Sequence, residues 1–132
     1  MDVCIDADLA EIRGAGAADK ASRDRISQRW RSGDRAAGHP GGETLGEALA
    51  RFAGVLNRLV EAYSNDDLVL VSHGAFVVMG LLHLCEHDWD PLTVAGLVHC
   101  EISQIETHPS SASTLGRVHP LNLCPADVHL LL

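Results

Sequence analysis

Aromatic side chains are scarce in this sequence: Phe, Trp and Tyr together make up 4% of its 132 residues. An interior short of rings must be aliphatic, built from Leu, Val and Ala. No apolar run approaches the roughly 20 residues a helix needs to cross a bilayer, and no charged-then-apolar leader with a small-residue cleavage site opens the chain. The cysteines, Cys4, Cys85, Cys100 and Cys124, are widely spaced and form no CxxC pair. Reduced thiols and a cytoplasmic location follow as the expectation. Basic residues are few as well: 10 Lys and Arg stand against 18 Asp and Glu, a net charge of −8. That balance argues against general affinity for nucleic acid or an anionic membrane, which needs clustered cations. A small phosphorylated substrate is not excluded, because a local pocket can oppose the global sign. Most of the cations lie between Arg13 and Arg35, and after Arg58 only Arg117 remains.

What is present is an ordinary globular composition, 46% hydrophobic and 21% charged, in a chain long enough for one domain spanning residues 1–132. Asp19 to Trp30 is strongly polar with apolar anchors at Ala21, Ile26 and Trp30, as in an exposed or lid-like helix. Arg31 to Gly42 is a loop by its glycines and proline. Thr44 and Glu47 then form a capping box. Leu45, Leu49, Phe52, Leu56, Leu59 and Tyr63 recur behind it at helical spacing, and "SNDD" (64–67) stops the helix. Leu68 to Val71 is short, unbroken and apolar, the pattern of a strand covered on both faces. Ala75 to Leu84 fits a buried helix, although Phe76-Val77-Val78 also tolerates a strand. Leu97 to Glu106 alternates in part and predicts a strand, His108 to Ser113 a turn, and Leu115 to Leu132 a last short strand with a tail. This order points to an α/β layer fold.

The chemistry concentrates at Ser72-His73-Gly74. In open α/β sheets ligands gather at the carboxyl ends of strands, where the next helix offers unpaired N–H groups and a positive dipole end. An imidazole there can bond a phosphoryl oxygen or act as acid or base. Gly74 would let the backbone turn sharply beside an anion. The plainer alternative, a core histidine bonded to a carbonyl, stays open. A serine-hydrolase elbow does not, because Leu70 stands where glycine is needed two places before Ser72.

These stretches resemble the histidine phosphatase superfamily, also called the phosphoglycerate mutase-like family. "DLAEI" (Asp8 to Ile12) resembles the segment bearing its general acid. "GGET" (Gly41 to Thr44) is similar to its GGES at the start of a long helix, with Arg51 where the family often has an arginine. "LVLVSHG" is similar to the strand carrying its second catalytic histidine, and "VHCEISQIE" and "LNLCPADVHL" resemble its last strands and tail. The resemblance implies a three-layer α/β/α sandwich and phosphomonoester hydrolysis through a phosphohistidine, or less favourably a phosphoryl shift within a sugar acid. It implies His73 as the second active-site histidine and Glu11 as proton donor to the leaving oxygen, with Ser72, Gly74 and Arg51 around the phosphate. A glutamate in that role must carry a proton when substrate is bound. No cofactor or metal is implied, and the partner is a small phosphorylated substrate.

The family's Arg-His-Gly, whose histidine is phosphorylated and whose arginine grips the phosphate, occurs nowhere in the chain. Without the nucleophile the two-step route has no first step, and without arginine clamps a dianion binds weakly. The expectation is a truncated or degenerate relative (a gene fragment, a mis-called start or a pseudo-phosphatase), missing the first strand or strands and poor or inactive as a catalyst. An open sheet edge would then be left for a second copy to pair with. Two other classes stand beside this one. One is a non-catalytic binding or oligomerisation module. The other is a metal site at His83, Cys85 and His87, weakened because Cys85 would point away from the face shared by the two histidines.

Overall fold

In a computed structural model, the structure describes residues 3–14, 16, 18–90, 102–107 and 113–123. Helix α1 (Lys20–Arg31) opens on Asp19, whose side chain accepts the N–H of Ser22 at 2.7 Å. One face stays in solvent and carries local ion pairs such as Lys20–Asp24 and Arg29–Asp34, each 2.6 Å. Lys20, Arg23, Arg25 and Arg29 of the basic stretch therefore lie on a solvated helix face. Trp30 anchors the other face, buried, with its Nε1–H donated to the carbonyl of Ala37 at 2.8 Å.

Helix α2 (Leu45–Ala62) starts where the capping box predicts it. Thr44 Oγ1 accepts the N–H of Glu47 at 3.2 Å, and Glu47 Oε2 accepts that of Thr44 at 2.8 Å. Leu45, Ala48, Leu49, Phe52, Val55 and Leu56 form its buried stripe. The stripe ends early: Leu59 is only half-buried and Tyr63 is exposed. Helix α3 (Gly74–Leu84) buries Phe76, Val78, Met79, Leu81 and Leu82 and packs on α2. Helix spacing thus prevails over the strand-tolerant triplet. Gly80 sets the distance of approach, since a Cβ there would lie 2.4 Å from the ring of Phe52.

Strands β1 (Ile102–Thr107) and β2 (Gly116–Leu123) pair antiparallel, Ile105 opposite Val118 and Glu106 opposite Arg117. Three backbone bonds tie β2 and the turn before it to the end of α3: Leu115 N–H to Leu84 O, Glu86 N–H to Gly116 O and Val118 N–H to Glu86 O, all 2.8–2.9 Å. Val118 enters the core. The predicted strand from Leu97 begins outside the described residues, as do most of the predicted turn from His108 and the tail after 123.

Leu68–Val71 departs from expectation. The segment takes no regular secondary structure and pairs with nothing among the described residues. Instead of being covered on both faces, the four side chains are 42, 82, 41 and 83% exposed. A strand exists only through a neighbour's N–H and C=O groups, which no local pattern supplies. The described residues thus combine helices with one two-stranded antiparallel sheet, an α/β fold, and they do not display three layers. No helix among them is long and apolar enough to cross a membrane.

Candidate functional site

The start of α3 draws the sequence candidates together. His73 is its N-cap, extended in backbone (φ −111°, ψ 150°), with its carbonyl accepting the N–H of Val77 at 3.0 Å. Its ring makes no capping bond and is exposed. The alternative of a core histidine bonded to a carbonyl describes a different residue, His83, which is half-buried with Nε2 2.6 Å from the carbonyl of Trp30. Burial holds the His83 ring below the ordinary imidazole pKa.

The first turn of a helix leaves N–H groups without intrahelical partners and carries the positive end of the dipole. Glu11 fills that place. Its Oε1 accepts the N–H of Phe76 at 2.8 Å, and its Oε2 that of Ala75 at 3.3 Å. A carboxylate from another segment thus caps the helix that His73 opens. Gly74 is the first helical residue beside it and takes ordinary helical backbone, so the sharp glycine turn expected there is absent. Among the described residues the left-handed glycines are Gly14, Gly33 and Gly41. Ser72 is half-buried and its hydroxyl donates to the carbonyl of Leu9 at 2.5 Å, which ties the Glu11 segment to the approach to α3.

Arg51 is the fifth candidate, and its donors all face inward. Nε and Nη2 grip both carboxylate oxygens of Glu43 at 2.9 Å. Nη1 donates to the carbonyls of Asp8 and Ala10 at 2.6 and 2.8 Å, and Nη2 to that of Glu11 at 3.3 Å. The guanidinium lies 4.1 Å from the centre of the Phe76 ring. In this arrangement Arg51 fastens residues 8–11 to α2 and α3, and so holds Glu11 on the helix start.

Glu43, which sequence reasoning left unassigned, is the other half of the fastening. Its side chain is only 2% exposed, and Arg51 holds its carboxyl below the ordinary value. The "GGET" glycines explain how the loop comes so close. A Cβ on Gly42 would sit 2.5 Å from the carbonyl of Arg13, and one on Gly14 2.7 Å from the Cα of Gly42. The signal was present in "GGET" and in the glycine after Glu11, but nothing in either says that the two loops meet.

The metal alternative finds its groups engaged elsewhere. His83 points at Trp30, and His87 Nε2 lies 2.8 Å from the carbonyl of Leu82. Cys85 is buried, which pushes its thiol pKa up to about 11. Among the described residues no three His, Cys, Asp or Glu side chains are grouped to hold a metal ion.

The geometry offers an exposed imidazole next to helix N–H groups, with a carboxylate already on them. Such a set can exchange a proton through Glu11 or His73, and it can hold an oxyanion on these N–H groups when Glu11 yields them. Compared with known proteins, residues 1–117 match the family model described as histidine phosphatase superfamily (branch 1). No curated protein and no solved structure matches the chain.

Proposed function

Since the chain belongs to the histidine phosphatase superfamily, whose membership points to phosphatase-like activity, we propose that His73 and the start of α3 receive the phosphoryl group of a small phosphate monoester. Glu11 is the acid–base group of that site. The observation that supports this is the seating of the Glu11 carboxylate on the N–H groups of Ala75 and Phe76, directly after His73. A phosphoryl oxygen at His73 would find the same helix end, and a protonated Glu11 would stand ready for the leaving oxygen. Ser72 and Arg51 serve as positioning residues, through Leu9 and through Glu43.

The proposed parent fold is the three-layer sandwich of one domain, with Leu68–Val71 as a strand of its sheet. The exposure of that segment supports a sheet larger than the described strands. This chain contains no Arg-His-Gly, and the Arg51 guanidinium is spent on Glu43 and three carbonyls. A covalent phosphohistidine route therefore has no nucleophile, and a bound dianion has little cationic clamping.

The expected result with p-nitrophenyl phosphate is no turnover above that of a His73→Ala variant. Turnover by the unaltered chain that disappears in His73→Ala would show a complete catalytic site and overturn this part of the reading.

A further inference from the structure

The N–H groups at the start of α3 already hold an anion, and the chain itself supplies it. Glu11 stands 64 and 65 positions before Ala75 and Phe76, yet its Oε1 accepts from Phe76 at 2.8 Å and its Oε2 from Ala75 at 3.3 Å. The N–H of Ile12 closes on the same Oε1 at 2.9 Å. Both carboxylate oxygens thus lie where a phosphoryl oxygen would seek the helix end. An arriving oxyanion and this carboxylate cannot take the same two N–H groups at once, and two anions side by side repel.

The segment that carries Glu11 is a strap. Residues 6–14 hold one 3₁₀ turn, Ala7–Leu9, and no α-helix or strand. Side chains of the body grip its backbone: Arg51 donates to the carbonyls of Asp8, Ala10 and Glu11, and Ser72 to that of Leu9. Arg51 is itself locked by both oxygens of Glu43. A carboxylate whose backbone is fixed beside its acceptor site loses little further freedom on seating, so the strap gives it a high effective concentration on α3.

We propose that Glu11 is an autoinhibitory plug: the strap seats its carboxylate on the N–H groups of Ala75 and Phe76, and an oxyanion binds the start of α3 only by displacing it. Displacement also frees the carboxyl for the acid–base role beside the leaving oxygen. The plug rests on the phosphoryl site proposed above, whereas the seating of Glu11 in the ligand-free chain does not. Charge separates a plug from a mere neighbour. Loss of an anion, as in Glu11→Ala, favours an incoming anion whatever the geometry. Loss of a cation, as in Arg51→Met, weakens anion binding by charge alone, and it can tighten binding only by releasing Glu11.

The amide resonances of Ala75 and Phe76, followed as orthovanadate is added to each full-length variant, measure this. Glu11→Ala should bind about tenfold more tightly than the unaltered chain, as expected for removing a competing charged hydrogen-bond acceptor. Arg51→Met should tighten binding as well, against the sign of its charge change. Ser72→Ala alters no charge and removes one strap bond; it should shift the affinity in the same direction, and it replaces Arg51→Met if that variant is too unstable to assign. Without vanadate, both amides should exchange with solvent faster in Glu11→Ala, and unchanged exchange overturns the plug. Equal affinity in every variant also overturns it while leaving the phosphoryl site standing. Tightening in Glu11→Ala alone, with Arg51→Met and Ser72→Ala unchanged or weaker, overturns it too and reduces Glu11 to a nearby charge. If vanadate moves neither amide in any variant, the phosphoryl site fails and the plug with it.

Discussion

Replacing Arg51 with methionine lowers the stability of the fold by about 3–5 kcal/mol, the cost of removing one partner from a buried ion pair. Glu43 would keep the N–H of Arg13 at 3.3 Å and the distant Arg13 guanidinium at 3.7 Å, which sets the loss towards the lower end. Three carbonyls of residues 8–11 also lose their donor, so Glu11 loosens on α3 in the same variant. Against a typical total of about 5–15 kcal/mol such a loss is large. Urea denaturation at neutral pH measures it.

Acid makes the assignment specific. The Glu43 carboxyl is held below its ordinary value of 4.5, first of all by its hydrogen bonds from Arg51. A depressed folded-state pKa adds stability that is fully present above the unfolded value and is lost as pH falls through the folded one. The unaltered protein should therefore lose stability below pH 4.5 faster than Arg51→Met, and the two should converge. A constant gap between them down to the acid limit would assign the loss to packing on Phe76 and not to the charge.

Phe76→Ala is expected to cost about 3–5 kcal/mol, the range for removing a buried aromatic ring. Phe76 is 1% exposed, meets Phe52 edge-on at 5.4 Å and carries the Arg51 guanidinium on its face. Its backbone N–H is also the shorter of the two bonds that Glu11 accepts from the start of α3. The variant thus opens a cavity beneath the groups that position the site. Its effect combined with Arg51→Met should be less than additive, because each substitution removes the same cation–ring contact. Thermal or urea unfolding of the two single variants and the double variant measures this. Full additivity would place the two residues in separate parts of the structure.

The sequence carried the local features well. The Thr44–Glu47 box fixes the start of α2 by bonds between residues three apart, and α1 begins at Asp19 for a related reason. The apolar stripe of α2 is legible as far as Leu56. Beyond it Leu59 and Tyr63 have the right spacing but little to pack against, because spacing reports a face and not what covers it. Leu68–Val71 shows the same limit. Its pattern is that of a buried strand, whereas pairing depends on a partner far away in sequence or in another chain. At the proposed site, the family resemblance implies roles for Glu11 and His73 but not their meeting at the start of α3, since the contact of Glu11 with Phe76 spans 65 positions. The resemblance implies Arg51 as a phosphate-side cation, whereas its donors go to Glu43 and three carbonyls, a pairing that depends on the "GGET" loop and Gly14 lying back to back.

The central claim is that the exposed imidazole of His73 and the first turn of α3 together form an oxyanion site. Its most direct test follows the amide resonances of Ala75 and Phe76 and the ring of His73 while orthovanadate is added to the unaltered chain. All three should shift together with one weak, saturable dependence, and His73→Ala should abolish the response at both amides. Shifts confined to other residues, or amide shifts that persist unchanged in His73→Ala, would contradict the account.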